Sequence, residues 1–408
     1  MEPFKADGRF WIATTHDRAA DGQLSWGPGA KAELVLAMRV IDEVAAPIEH
    51  SNGTTTIIQS GDPYKIVEDG TPRVLHGDTD RGPVTCVDAY LGPPSFGSVA
   101  TAFGQRWDVQ TLIVGAHLPG HDTALDAVRF VLDTPGWWSH LADAETVTTA
   151  AGELSCSRDS EGVVSFEYRP VAPLTIRSAD RSLRSMQTIA MLALGAELTL
   201  LTVNVRAAGA PEWLIVLTRD QDPTETSWPS PDDLLPPSWL TLQRLADWLA
   251  LEKRMDGLAA AVAFPPEAVA VQVSALVSGS LIEGIHKRLV TDDDTYFVDR
   301  ARDLYARATA ILPEPDLTGS VGAGWAELVR QARNDLAHHN TGRPFEKVFW
   351  DWLIAESTTM WVLRVCLLAE LGLDAAEMQA AVDDHQRYGF YRANLEAHIR
   401  ERDAISAP

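Results

Sequence analysis

Along the first half of the chain, hydrophobic positions come in short runs broken by turn-forming residues. RFWIA (9–13), AELVLAM (32–38), TTIIQ (55–59), VTCVDAYL (84–91), VQTLIVGAHL (109–118), AVRFVL (127–132), VVSFEY (163–168), ELTLLTVNV (197–205) and EWLIVLT (212–218) each have strand length. Between them lie DG, GPG, NG, GDP, GPPS, LPG and TPG, whose glycines and prolines supply positive or fixed φ at tight corners. Many short strands with no alternating helices predict an antiparallel domain, β-sandwich-like or barrel-like, over residues 1–225. A parallel sheet of the dinucleotide-binding kind is not expected.

The pattern changes after DQDPTETSWPSPDDLLPPS (220–238), whose proline, acid and hydroxyl content reads as a linker. Positions 239–256 carry apolar residues at helical spacing, so 226–262 is expected to hold a linker and one connector helix before the break at FPP (264–266). Beyond it every stripe is helical. Val273, Val277, Leu281, Ile285 and Leu289 form the first; Phe297, Ala301, Leu304, Ala308 and Ile311 the second, ahead of a PEP turn (313–315); and Trp325, Leu328, Val329, Ala332 and Leu336 the third. Two further amphipathic stretches cover 345–371 and 374–400. A multidomain α+β chain is predicted, ending in an all-α helical bundle over 263–408.

Composition narrows the function. The net charge is −23, so the chain repels bulk nucleic acid, and any action on it needs a small local basic site. No apolar run reaches the roughly 18–20 residues of a membrane span, and MEPFKADGRF lacks the plan of a secretory signal. Cys86, Cys156 and Cys366 are far apart, which disfavours a disulfide framework or a thiolate metal site. A soluble cytoplasmic protein without a cofactor is expected.

The chemistry concentrates in QARNDLAHHN (331–340), at the end of the third helical stripe. Arg333 is permanently charged and offers a planar fork of donors to phosphate oxygens. His338 and His339 titrate near neutrality and suit proton transfer. Asn340, Gly342 and Pro344 end the helix here. Arg333 and His338 are five residues apart, about 140° around an ideal helix, so one helical face does not hold both. The helix unwinds at the histidine, or a twofold partner completes the site. Such a pair suits RNA cleavage, in which the 2′-hydroxyl is the nucleophile and the protein moves protons and stabilises charge on phosphorus. Arg330, Arg333, Arg343 and Lys347 outnumber nearby Asp335 and Glu346 and make a modest basic spot, at which Arg330, Arg343 and Lys347 would bind RNA.

R-N-D-L-A-H inside a helical bundle resembles the Rx4–6H motif of HEPN ribonuclease domains, with SLIEGIHKRL (280–289) two helices before it and an aromatic helix after it. Within HEPN it is most similar to the ApeA-like group of anti-phage proteins, which pair a β-rich N-terminal domain with a C-terminal HEPN domain. GRFWIATTHDRAADGQLSW and LIVGAHL resemble segments of that N-terminal domain. The resemblance implies a metal-independent endoribonuclease of abortive-infection defence, cutting RNA such as tRNA, homodimeric through the HEPN domain, with a phage-derived trigger acting on the N-terminal domain. It implies Arg333 and His338 as catalytic pair, Asn334 as orienting residue and His339 as the alternative histidine.

Competing readings stand beside these. Arg333 could pair with Asp335 or Glu327 on a solvated surface. Glu283 could support catalysis, or simply partner a neighbouring Lys or Arg; His286 is expected at the surface. His117 and His121 have H-x3-H spacing, but Pro119 and Gly120 break any helix, so a turn is favoured over zinc. HGDTDRG (76–82) reads as a turn, and GWW (136–138) as core anchors. The alternative function is a catalytically silent HEPN module binding a nucleotide or protein, with a ligand-binding β-domain; a third reading is a carbohydrate-binding protein led by the β-domain.

Overall fold

The computed structural model describes residues 2–38, 40–41, 45–49, 55–59, 71–92, 104–221, 228–230, 233–265, 270–291, 293–337, 342–383 and 385–406. Its N-terminal half is antiparallel sheet and its C-terminal part helical, as the alternation of patterns requires.

Strands β1 (Phe4–Ile12), β2 (Thr15–Trp26), β3 (Ala32–Leu36), β6 (Arg73–Thr79), β7 (Gly82–Leu91) and β8 (Gln105–Val114) pair in the order β8-β3-β2-β1-β6-β7, and β7 pairs back onto β8. The ring is therefore a closed barrel, which leaves its strands no open edge. Every second residue points inward: Phe10, Leu24, Leu34, Leu36, Leu75, Val84, Cys86 and Trp107 are all buried in its core. A separate hairpin joins β4 (Ala45–Glu49) to β5 (Thr55–Gln59).

Beyond residue 109, strand β8 leaves β3 and pairs instead with β14 (Leu214–Thr218). From there the sheet continues through β13 (Leu200–Ala207), β9 (Leu125–Leu132), β12 (Val164–Pro170), β11 (Gly152–Arg158) and β10 (Ala144–Thr149). Helix α1 (Ile176–Leu194) packs on this second sheet. The sequence reading had no helix here, although Thr175 and Ser178 form a capping box and Gly195 closes the C-terminus at φ 74°. Trp137 and Trp138 are core anchors as expected, and the Trp138 indole donates to Leu132 O at 2.6 Å.

The connector docks rather than dangles. Leu234 and Leu235 donate their amides to Leu194 O and Ala193 O, and α2 (Leu242–Met255) buries Trp248 with its indole donating to Ser185 O at 2.7 Å. After α3 (Leu258–Ala263), the bundle comprises α4 (Val271–Leu289), α5 (Phe297–Thr309), short α6 (Glu314–Thr318), α7 (Trp325–Ala337), α8 (Phe345–Ala369), α9 (Ala375–Asp383) and α10 (Gln386–Ser406). The PEP segment is thus the start of a short helix rather than a bare turn. One apolar core runs from the second sheet through α1 and α2 into the bundle. Among the described residues only α8 has the length and hydropathy to cross a membrane, and 61 % of its apolar window is buried inside the protein.

Candidate active site

Helix α7 carries the motif. Trp325, Val329 and Ala332 face the core, which turns Arg333 toward α4. Gly279 makes this approach possible: a Cβ there would lie 3.3 Å from the Arg333 Cβ, so the arginine stem lies close over the bare backbone. One turn farther along α4, Glu283 accepts from Arg333 Nη2 at 2.9 Å. The guanidinium carbon also stands 4.9 Å from the centre of the Phe297 ring, at the start of α5. Three helices therefore hold this cation, yet its side chain keeps 29 % exposure and that of Glu283 38 %. The pair is reachable by a ligand.

The partners expected of Arg333 on its own helix are engaged elsewhere. Glu327 accepts from Arg330 and from Gln331, and the Arg330 bond pulls its carboxyl down to about 2. Asp335 pairs with Arg343, which also holds the buried Asp351 of α8 at 2.5 Å. Burial raises the Asp351 carboxyl, against the lowering pull of Arg343, Arg402 and Lys347. Arg343 thus clamps the end of α7 to α8. This revises the expected basic spot: Glu283 and Asp351 enter from other helices and cancel the excess counted along the chain. Of the residues expected to bind RNA, Arg330 and Arg343 are ion-paired, and half-buried Lys347 lies near Asp351.

His338 and His339 lie outside the described residues, which resume at Gly342; α7 ends at Ala337, directly before them. Asn334 is half-buried on α7 beside Arg333. Glu283 is an arginine partner. His286 is not at the surface: it is fully buried, because buried Arg300 and the exposed Asp303 of α5 supply its polar partners. Arg300 Nη1 can only donate, so His286 Nδ1 accepts at 3.3 Å and its Nε2–H donates to Asp303 at 3.0 Å.

Sequence reasoning missed Phe297 as the ring beside the guanidinium and Gly279 as the gap under it. The one signal was the four-residue spacing of Gly279 and Glu283, which puts gap and acceptor on one face of α4. In the barrel, His117 stacks on His76 at 4.9 Å, while His121 lies 3.4 Å from Asp88, so the two histidines of the H-x3-H spacing serve different contacts.

Residues 5–161 match the family model of the ApeA N-terminal domain 1. That ApeA domain spans the whole barrel and the strands up to β11, and stops before α1. No curated protein matches the chain. A solved structure named "pT26-6p" aligns over 97 % of this chain and 93 % of its own, at 8 % identity and a TM-score of 0.18, too low for any structural argument.

Proposed function

We propose that this chain is an anti-phage defence protein whose C-terminal bundle is an HEPN-type endoribonuclease. The ApeA N-terminal domain supports the defence role. The observation carrying the catalytic reading is the setting of Arg333: a partly exposed guanidinium, held by one carboxylate bond and an aromatic ring, at the last turn before two histidines. Its remaining N–H groups suit a phosphodiester.

In this reading His338, or His339 beside it, takes the proton from the ribose 2′-hydroxyl. The 2′-oxygen bonds to phosphorus while Arg333 stabilises the added negative charge. The P–O5′ bond then breaks and the leaving 5′-oxygen takes up a proton, giving a 2′,3′-cyclic phosphate and a 5′-hydroxyl. Asn334 positions the phosphate or the histidine. A second copy of the bundle supplies the facing surface, and a phage-derived trigger acts through the β-rich half. The substrate is RNA, with tRNA the first candidate.

The test is growth arrest. Wild type should halt growth on expression or on phage infection, and Arg333→Ala and the His338→Ala/His339→Ala double variant should each relieve it; both variants remaining as toxic as wild type defeats the assignment. The neutralisation of Arg330 and Arg343 favours one competing reading, a silent module that binds a nucleotide or protein. That reading requires no RNA cleavage under any trigger.

A further inference from the structure

A second site stands apart from the bundle, where the barrel, the second sheet and α1 meet. A cleft of about 340 Å³ opens there, lined on the sheet side by Asp88, Gln110, Thr111, His121, Thr218 at the end of β14, and Arg219 and Asp220 in the turn that follows it. Ile176, Arg177, Asp180 and Arg184 of α1 form the other wall. The last three recur at helical spacing and so present one face to the sheet. A narrow apolar slot lined by Ile113, Leu183, Val203 and Val216 adjoins the cleft.

The cleft is built, not incidental. Arg184 bridges its two walls, bonded to Asp180 at 2.9 Å and to Asp220 at 2.5 Å. Asp88 sits at a left-handed φ of 51°, unusual for a residue with a side chain, where the β7–β8 register passes from Val87 to Ala89. Such an outlier re-aims a side chain, and here the carboxylate turns toward His121 at 3.4 Å.

Partner accounting gives the ligand chemistry. Asp180 and Asp220 are taken by Arg184, and Asp88 by His121. Arg177 and Arg219 remain: both are exposed, and among the described residues neither makes an ion pair or side-chain hydrogen bond. Two unspent guanidiniums at the mouth of a walled cleft, in a chain of charge −23, call for an anionic group rich in acceptor oxygens. Gln110, Thr111 and Thr218 offer neutral hydrogen bonds to whatever follows that group. The volume lies at the small end of the roughly 300–1,000 Å³ of ligand pockets, which suits a mononucleotide and not a polymer. We infer that this cleft binds a phosphomonoester of nucleotide size, with Arg177 and Arg219 on the phosphate.

The site joins residues inside the matched ApeA domain to residues beyond it, so it belongs to the whole chain and not to that domain alone. It is independent of the ribonuclease proposal, because its readout is binding.

The full chain would be titrated calorimetrically with the four nucleoside 5′-monophosphates, the matching nucleosides and inorganic phosphate. We expect at least one monophosphate to bind with a Kd below about 1 mM, and its nucleoside and free phosphate each about tenfold or more weaker. The Arg177→Ala/Arg219→Ala double variant should lose about tenfold or more in affinity while its unliganded melting temperature stays within roughly 2 °C, since both side chains are exposed and neither has an ion-pair or side-chain hydrogen-bond partner among the described residues. No binding by any monophosphate overturns the inference. So does equal binding by nucleoside or phosphate, or unchanged affinity in the double variant.

Discussion

Arg333 on α7 donates to Glu283 on α4 at 2.9 Å, fifty residues away in sequence, and this one bond ties the motif helix to the first helix of the bundle. Both side chains are about one-third exposed, so the pair is worth at most about 1 kcal/mol to stability. Arg333→Ala should therefore melt close to wild type, while RNA cleavage falls by about 100-fold or more. Chemical denaturation beside a single-turnover cleavage assay separates the two effects. A large stability loss with proportionate loss of activity would make Arg333 a structural residue.

Glu283 occupies one donor of the cation that is to meet phosphate. Replacing it by Gln removes the competing charge but keeps the shape, and the Phe297 ring and the Gly279 gap still hold the arginine stem. Glu283→Gln should lower KM for RNA several-fold with kcat within about threefold of wild type. A kcat drop of tenfold or more would instead mean that the carboxylate orients Arg333 for the chemistry.

Much of the fold was legible and much of the site was not, for one physical reason. All nine strands read from hydrophobic runs are present, eight of them because their apolar faces line the barrel or the second sheet, and TTIIQ as one strand of the separate hairpin. β2 was missed: THDRAADGQLSW is polar, and its place rests on backbone pairing to β1 and β3. α1 was missed although Ile176, Ala179, Leu183 and Met186 make a helical stripe, since arginines and serines between them break up the run. Local period is written in the chain; which carboxylate meets Arg333 is not. Counting charge near the motif gave a basic spot, and only packing brings in Glu283 and Asp351 to balance it. Placing His286 at the surface failed likewise, because its partners Arg300 and Asp303 come from the next helix.

The two buried members of that set, His286 and Arg300, make their own prediction. Arg300 is 3 % exposed and bonds Thr295 O, Asp293 O and His286 Nδ1, so it stitches the start of α5 to α4. Arg300→Ala should destabilise the chain by roughly 2–4 kcal/mol, because the buried imidazole loses its donor and the carbonyls lose theirs. A urea midpoint unchanged from wild type would show that water replaces these bonds without penalty.

Glu252 on α2 gives a pH dependence. It is 5 % exposed; Oε1 accepts from the Gly257 amide at 3.0 Å while Oε2 has no hydrogen-bond partner among the described residues. Burial pushes its carboxyl up to about 7, against the opposing Gly257 bond and the charge of Arg181. Between its ordinary value of 4.5 and about 7 the folded chain holds a proton that the unfolded chain has released, so this group's contribution to stability falls as pH rises through that window and stays low above it. Glu252→Gln should then stabilise by roughly 2–3 kcal/mol at pH 8 and by little at pH 4. Equal effects at both pH values would show that the carboxyl ionises freely in the fold.

The most direct measurement concerns the ends of the cut RNA. Purified full-length chain, triggered if necessary by phage lysate, would be incubated with bulk tRNA in excess EDTA, and the fragment termini identified by ligation chemistry and mass spectrometry. Attack by the 2′-hydroxyl under Arg333 and the nearby histidine requires 2′,3′-cyclic phosphate and 5′-hydroxyl ends that form despite the chelator and vanish in Arg333→Ala and in the His338→Ala/His339→Ala double variant. Fragments carrying 5′-phosphates, cleavage that the chelator abolishes, or cutting that persists in both variants would contradict it.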